Sequence, residues 1–418
     1  MAAEKKRRGP LPRIHTGAKY PGGLWKNRLA YGSFLGGTGL LYLWLRSTEL
    51  QMMFFALAFL PILSYILAWL SRRNLEVVQD IECTAVPKGT AAGFWIELTN
   101  RGRMPVPYIR LCWDEQPLLR YTAAAGLYSL AAGEKRRVKA EACAPYRGRY
   151  PIGAASVWIE DYLRLFRLPC QQPPRPEITF LPALQPITAP PSLCGASDSR
   201  APVPGAVEDY SSVAEIVPYD PSREFRKIHW KLTARLDELM VRQFETEDSA
   251  RATLLLDITS LGEGEQGAAL ADAMAEGAAS LLSVLMRDDR PIGLLYGLDR
   301  PVLLQNSGRE GFENYYKLIG GLPFAGELDA AALLSYYLET RTAGAALLFT
   351  AQADDRLLSA VSAALSAGVQ VALFALETGD EAAAAQLAAL EERGVPVIRF
   401  GLRRALYLAL GPDGQGVA

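Results

Sequence analysis

Residues 29–45 read LAYGSFLGGTGLLYLWL, and residues 50–70 read LQMMFFALAFLPILSYILAWL. Neither run contains a charged side chain, and only Arg46, Ser47, Thr48 and Glu49 separate them. At about 1.5 Å of rise per residue, the second run crosses a hydrocarbon layer of about 30 Å. The first is slightly shorter, with Tyr31 and Trp44 near its ends, where aromatic rings favour the interface. One helix through both runs would be about twice too long for the layer. The pattern therefore predicts a membrane-anchored multidomain chain. A basic tail covers 1–28 and a transmembrane helical hairpin covers 29–72.

Lysine and arginine set the expected orientation. Lys5, Lys6, Arg7, Arg8, Arg13, Lys19, Lys26 and Arg28 precede the first run, and Arg72 and Arg73 follow the second. The connecting loop has one arginine and one glutamate. The positive-inside bias puts both termini and the soluble domains in the cytoplasm, on a cell-membrane protein with two spans. A secretory signal peptide is the competing reading. It fits worse, because the basic region is long, a second span follows at once and no small-residue cleavage site stands out.

Charge divides unevenly. Residues 1–28 hold eight basic side chains against Glu4, a net of +7, and the overall charge of −1 leaves −8 for the remainder. A basic arm beside a membrane span points to topology and anionic lipid, and the acidic body argues against nucleic acid. The five cysteines, Cys83, Cys112, Cys143, Cys170 and Cys194, are odd in number and widely spaced, without a C-x-x-C. That usage suits reduced thiols in a cytosolic compartment.

The body has two patterns. Over 75–182 it is mostly strand-like. Phe94, Ile96 and Leu98 alternate with Trp95, Glu97 and Thr99, the period of a half-buried strand. Further strand-like pieces cover 76–83, 108–113, 137–143 and 155–159, with turn signals between them. Short strands over about a hundred residues predict a small Ig-like β-sandwich. Residues 183–205 are rich in Pro, Ser, Ala and Gly and read as a linker. From Leu254 onward, apolar strands alternate with helices. This pattern predicts an α/β domain with a doubly wound, mostly parallel sheet. Ligands of such sheets bind outside the carboxyl ends of strands, where Asp257, Thr350, Asp354 and Asp355 fall.

The most distinctive segment is 217–245. It holds Tyr219-Asp220-Pro221, then Arg226-Lys227-Ile228-His229-Trp230-Lys231-Leu232-Thr233-Ala234-Arg235, then Leu239-Met240-Val241-Arg242-Gln243-Phe244-Glu245. It resembles the hallmark of the domain-of-unknown-function family 58. Arg147-Gly148-Arg149-Tyr150 and Asp161-Tyr162-Leu163-Arg164-Leu165-Phe166 are similar to two further elements of that family. The sequence departs from the pattern at Ser222-Arg223, where a Gly-Asp pair is usual, and at Val217, where an arginine is common.

The resemblance implies a C-terminal domain, within 206–418, similar to von Willebrand factor A domains. Such domains often hold Mg²⁺ on a D-x-S-x-S loop after the first strand. Short oxygen ligands from one tight loop suit a hard cation. Here the loop is Asp257-Ile258-Thr259-Ser260-Leu261. Asp257 and Thr259 match the first two ligand positions, Leu261 cannot ligate, and a supporting carboxylate would come from Asp354 or Asp355. The alternative is that Asp257 caps its own turn.

The resemblance also implies partners: a MoxR-type AAA+ ATPase and a transglutaminase-like membrane protein. Arg226, Trp230, Lys231, Arg235 and Arg242 are candidates for a docking face, since Arg and Trp dominate binding hot spots. Equally, they can pair and pack internally. No G-x-S-x-G, H-E-x-x-H or G-x-x-x-x-G-K-(S/T) occurs in the chain. The leading expectation is a non-enzymatic adaptor serving ATPase-assisted assembly or maturation of membrane or envelope complexes. The alternatives are a metal-dependent hydrolase using Asp257, Asp354 and His229, and a structural membrane scaffold without metal.

Overall fold

The computed structural model describes residues 23–113, 116–122, 126–187, 208–218, 233, 240–246, 252–288, 291–340 and 344–402. They fall into two compact units: Met1–Pro145 with Arg149–Phe180, and Tyr146–Gly148 with Leu181–Ala418.

The first unit opens with helices α1 (Trp25–Leu45) and α2 (Thr48–Asn74). Ser47 starts α2 by accepting a hydrogen bond from Leu50 N at 3.3 Å, and Arg46 turns the chain with a positive φ of 44°. The helices pack antiparallel. Tyr42 stacks on Phe54 at 6.4 Å, and the Tyr31 hydroxyl donates to Leu57 O. Within the glycine run, Gly39 is the contact residue, because a Cβ there would lie 3.1 Å from the Phe54 ring. Gly36 and Gly37 face open space.

Among the described residues, two helices are long and apolar enough to cross a membrane, α2 and Gly264–Leu285. Their surroundings differ. The most apolar window of α2 is 11 % buried, whereas that of Gly264–Leu285 is 56 % buried and belongs to the core of the second unit.

Eleven strands follow α2. They are β1 (Leu75–Ile81), β2 (Ala85–Pro87), β3 (Ala92–Asn100), β4 (Val106–Trp113), β5 (Arg120–Tyr121), β6 (Leu127–Leu130), β7 (Lys135–Cys143), β8 (Gly148–Pro151), β9 (Ala154–Glu160), β10 (Arg167–Pro169) and β11 (Glu177–Leu181). They form sheets ordered β1-β3-β7-β5, β10-β9-β4-β6 and β2-β11-β8. The alternation in β3 has a direct cause: Phe94, Ile96 and Leu98 enter the same core as Ile109, Leu111, Val157 and Ile159 of the β9-β4 sheet. Phe94 meets Trp113 and Tyr121 edge-on, at 5.7 and 6.0 Å.

The end of β9 carries two consecutive buried carboxylates. Glu160 pairs with Arg110 (2.9 Å), Arg164 (3.0 Å) and Arg167 (2.8 Å). Asp161 accepts hydrogen bonds from the Ser64 hydroxyl (2.6 Å) and from Leu163 N, Leu165 N and Phe166 N. Burial alone would raise the Glu160 carboxyl, but the three guanidiniums outweigh it and hold the group below its usual value. A lowered carboxylate contributes stability that is complete above its unfolded pKa and disappears as pH falls through the folded one.

In the second unit, β12 (Glu208–Pro218) and β13 (Met240–Thr246) form an antiparallel ribbon in which Arg242 pairs with Ile216. Then come β14 (Ala252–Leu256), α3 (Gly264–Leu285), β15 (Ile292–Gly297), β16 (Pro301–Asn306), α4 (Gly308–Gly321), α5 (Ala330–Thr340), β17 (Ala345–Thr350), α6 (Asp355–Ser366), β18 (Gln370–Leu376), α7 (Glu381–Glu392) and β19 (Val397–Phe400). The sheet order is β16-β15-β14-β17-β18-β19. All pairs are parallel except β15 with β16. Only Leu298, Asp299 and Arg300 join those two strands, too few for a crossover, so β16 must return antiparallel.

Successive leucines of β14 serve opposite faces. Leu254 and Leu256 pack with α3 and α4, while Leu255 packs with α5, α6 and α7. Arg147 also belongs to this unit. Its guanidinium donates to Ile319 O (2.8 Å) and Leu322 O (2.7 Å), placing a cation at the carboxyl end of α4.

The Glu160 network generates the first prediction. Glu160→Gln is expected to cost about 1.5–3 kcal/mol at neutral pH, because charge-assisted hydrogen bonds weaken. It is also expected to flatten the loss of stability on acidification. Thermal melts of the solubilised chain across a pH series check both effects.

Candidate functional site

Strand β14 lies centrally, and the chain leaves it toward β15 on one side before returning to β17 on the other. The carboxyl ends of β14 and β17 therefore flank a topological switch point, where loops part and leave a crevice. A cleft of about 660 Å³ opens at this end. Its walls come from the loops after β14 (Ser260, Glu263, Gln266), after β17 (Gln352, Asp354) and after β18 (Asp380).

Asp257 directly follows β14, three residues before Ser260 of the cleft wall, and is 3 % exposed. Its Oδ1 accepts from Thr259 N at 2.9 Å and from Thr259 Oγ1 at 2.7 Å. The backbone contact is an Asx turn, so Asp257 does cap its own loop. Its Oδ2 lies 2.7 Å from Thr350 Oγ1. That hydroxyl is also 2.9 Å from Gln352 O, and it accepts from Gln352 N at 3.0 Å. Thr350 has one proton and two oxygens competing for it. The hydroxyl therefore divides its proton between Asp257 Oδ2 and Gln352 O, tying the ends of β14 and β17 together.

Burial pushes the Asp257 carboxyl above its usual range, the Thr259 and Thr350 hydrogen bonds pull it back, and the charge of Asp329 adds to the rise. The net direction is upward. Asp329 was not singled out in the sequence. Its signal is its place as the amino-terminal cap of α5, where Oδ1 accepts from Ala332 N at 2.7 Å.

Of the three residues expected to hold metal, Asp257 and Thr259 are in direct contact, and Thr350 joins them. Asp354 is exposed and caps α6, accepting from Leu357 N at 2.8 Å. Asp355 accepts from Gln386 at 2.7 Å. Among the described residues, no group of three His, Cys, Asp or Glu side chains could hold a metal ion. The gathered oxygens are one carboxylate and two threonine hydroxyls, and Leu261 adds none. This donor set does not fit a tightly held Mg²⁺, which favours carboxylates in octahedral geometry. Arg226, His229, Trp230, Lys231 and Arg235 lie outside the described residues, and Arg242 is placed only by its strand.

These contacts separate charge from shape. Asp257→Asn keeps an acceptor toward Thr259 and removes the carboxylate charge, so it is expected to cost less stability than Asp257→Ala. Asp257→Ala strands both threonines and is expected to cost about 1–3 kcal/mol. A raised carboxyl contributes stability that is complete below its unfolded pKa and lost as pH rises through the folded one. The Asn variant should lack that slope in denaturant melts. Calorimetric titration with Mg²⁺ is expected to show nothing tighter than about millimolar. Tight binding that vanishes in Asp257→Asn would contradict this reading of the loop.

Among solved structures, similarity is low. The CARDB domain of the PF1109 protein from Pyrococcus furiosus is 12 % identical, covering 25 % of this chain and 91 % of that one, with a TM-score of 0.18. Its solution structure gives 13 %, 26 %, 94 % and 0.17. A GH20 exo-β-N-acetylglucosaminidase from Vibrio harveyi gives 8 %, 79 %, 82 % and 0.18. At these TM-scores none of them informs fold or activity. No curated protein matches the chain. Residues 215–322, from within β12 to the residue after α4, match the family model described as Protein of unknown function DUF58. The hallmark segment at 217–245 lies inside that match, which supports assigning this part of the chain to the DUF58 family.

Proposed function

We infer that this protein is a membrane-anchored interaction module. In this reading α1 and α2 form a transmembrane hairpin, both termini lie in the cytoplasm, and the α/β unit is a von Willebrand factor A-like domain that captures a partner at its crevice. The observation that carries the reading is the cleft at the switch point between β14 and β17, rimmed by Glu263, Asp354 and Asp380. An acidic rim over a wide cleft suits a cationic segment of a partner protein. The family resemblance supplies the class of partner: a MoxR-type AAA+ ATPase, with a transglutaminase-like membrane protein as a further component. The role that follows is ATPase-assisted assembly or maturation of membrane or envelope complexes.

Hydrolysis fits less well. Asp257 is 3 % exposed and committed to Thr259 and Thr350. A general base must come within hydrogen-bond reach of its substrate, about 3 Å directly or one water further. Asp257 would have to leave both threonines to do so.

Affinity capture from detergent-solubilised membranes tests the proposal. The full chain is expected to recover an AAA+ ATPase in a nucleotide-dependent manner. Glu263→Lys combined with Asp380→Lys is expected to reduce recovery about tenfold, the effect of losing about 1.4 kcal/mol. Recovery of no AAA+ ATPase in any nucleotide state, or full recovery by the double variant, would contradict it.

A further inference from the structure

The first unit holds a polar knot at a depth where its sequence predicts lipid. Ser64 lies inside the apolar run 50–70, yet its hydroxyl donates to Asp161 at 2.6 Å. Ser64, Ala68 and Ser71 form the buried face of α2. The opposite face stays apolar beyond this point: Ile62, Leu63, Ile66, Trp69 and Leu70 are all at least 39 % exposed. Thus α2 shows one face to a loop of the sandwich and another, at the same level, to its surroundings.

Trp69 marks where the apolar layer ends. The Arg73 guanidinium lies 3.8 Å from its ring centroid, an aromatic ring and a cation placed as at a membrane interface. Trp25 opens α1 at the same end of the antiparallel pair. Ser64 lies five residues from Trp69, about 7.5 Å further into the layer along the helix. The loop Asp161–Phe166, bonded to Ser64, therefore reaches past the plane of Trp69.

The loop is built to tolerate that depth. Asp161 is fully buried, and the loop NH groups of Leu163, Leu165 and Phe166 all point to its carboxylate. Arg28 Nε donates to Leu165 O at 2.7 Å, and Asn27 to Arg164 O at 3.4 Å. Phe166 packs edge-on against Tyr65 at 5.5 Å. Internal satisfaction of polar groups is what a low-dielectric layer demands. Around the knot, Arg110, Arg164 and Arg167 set three cations against the one Glu160 carboxylate, with Arg28 on the start of α1 and Arg73 at the end of α2. Such an excess complements anionic headgroups.

We propose that the loop Asp161–Phe166 is an interfacial foot, seated with Arg28 and the Trp69–Arg73 pair in the headgroup layer of an anionic bilayer. The sandwich is then partly sunk into the membrane surface instead of hanging free of it. This inference rests on the membrane-anchor reading above, and the test keeps the two apart.

Nitroxide labels are placed one at a time on the full chain in nanodiscs of phosphatidylcholine with phosphatidylglycerol, the remaining cysteines being replaced. The sites are Leu163→Cys in the foot, Phe59→Cys on the exposed face of α2, and native Cys83 as the aqueous reference. Power saturation is expected to show nickel-chelate access at Leu163 several-fold lower than at Cys83, with oxygen access approaching that of Phe59. A Leu163 label as accessible as Cys83, with Phe59 in lipid, overturns the foot and leaves the anchor standing. A Phe59 label in water overturns both. Phosphatidylcholine alone is expected to weaken the shielding at Leu163, and unchanged shielding would overturn the anionic preference. Tyr162→Cys gives the same comparison if Leu163→Cys misfolds.

Discussion

The Asp161 carboxylate is the constraint around which the first unit is arranged. It gathers the Ser64 hydroxyl and three backbone NH groups at the end of β9. A buried carboxylate without such donors is costly, so the loop must close on it and α2 must present a small hydroxyl residue there. Ala68 and Ser71, one and two turns further on, leave room for close approach along the same face. Glu160 next to it is satisfied by three arginines. The two side chains divide the work: one organises the loop and the helix, the other ties β4, β10 and the loop to the end of β9.

The second unit uses a buried aspartate differently. Asp257 also closes a turn, but burial pushes its carboxyl above the usual range, and its partners are Thr259 in its own loop and Thr350 at the end of β17. That arrangement ties the loop after β14 to the end of β17. The acidic side chains Glu263, Asp354 and Asp380 line the cleft at this end of the sheet. The glycine contacts point the same way. A Cβ at Gly267 would meet Gly262 O at 2.0 Å, so the loop from β14 packs directly on the first turn of α3.

Much of the secondary structure was legible because local pattern and burial agree. The alternation of β3 and the Leu254–Leu256 run of β14 read directly. The antiparallel direction of β16 was not read, since periodicity carries no information on pairing. The site was half legible. Asp257 and Thr259 are two residues apart and could be found from the loop alone. Thr350 stood out only as a strand end, and its bond to Asp257 spans 93 residues. Asp329 acts through space on Asp257 and resembles any helix cap in sequence. Ser64 reads as one more lipid-facing position until Asp161, 97 residues away, arrives beside it. Arg147 fell in a family motif, but its grip on the carbonyls of Ile319 and Leu322 depends on tertiary structure.

The account stands on a hairpin in the membrane with the remaining chain on the cytoplasmic side. Cys83 offers the direct test, because it is an exposed thiol that follows β1 closely. A variant keeping only this cysteine would be treated with a membrane-impermeant maleimide in intact cells and in inverted membrane vesicles. The account requires labelling in inverted vesicles and protection in intact cells. Labelling in intact cells would put the sandwich on the opposite side, and recovery of the protein in the soluble fraction would remove the anchor altogether.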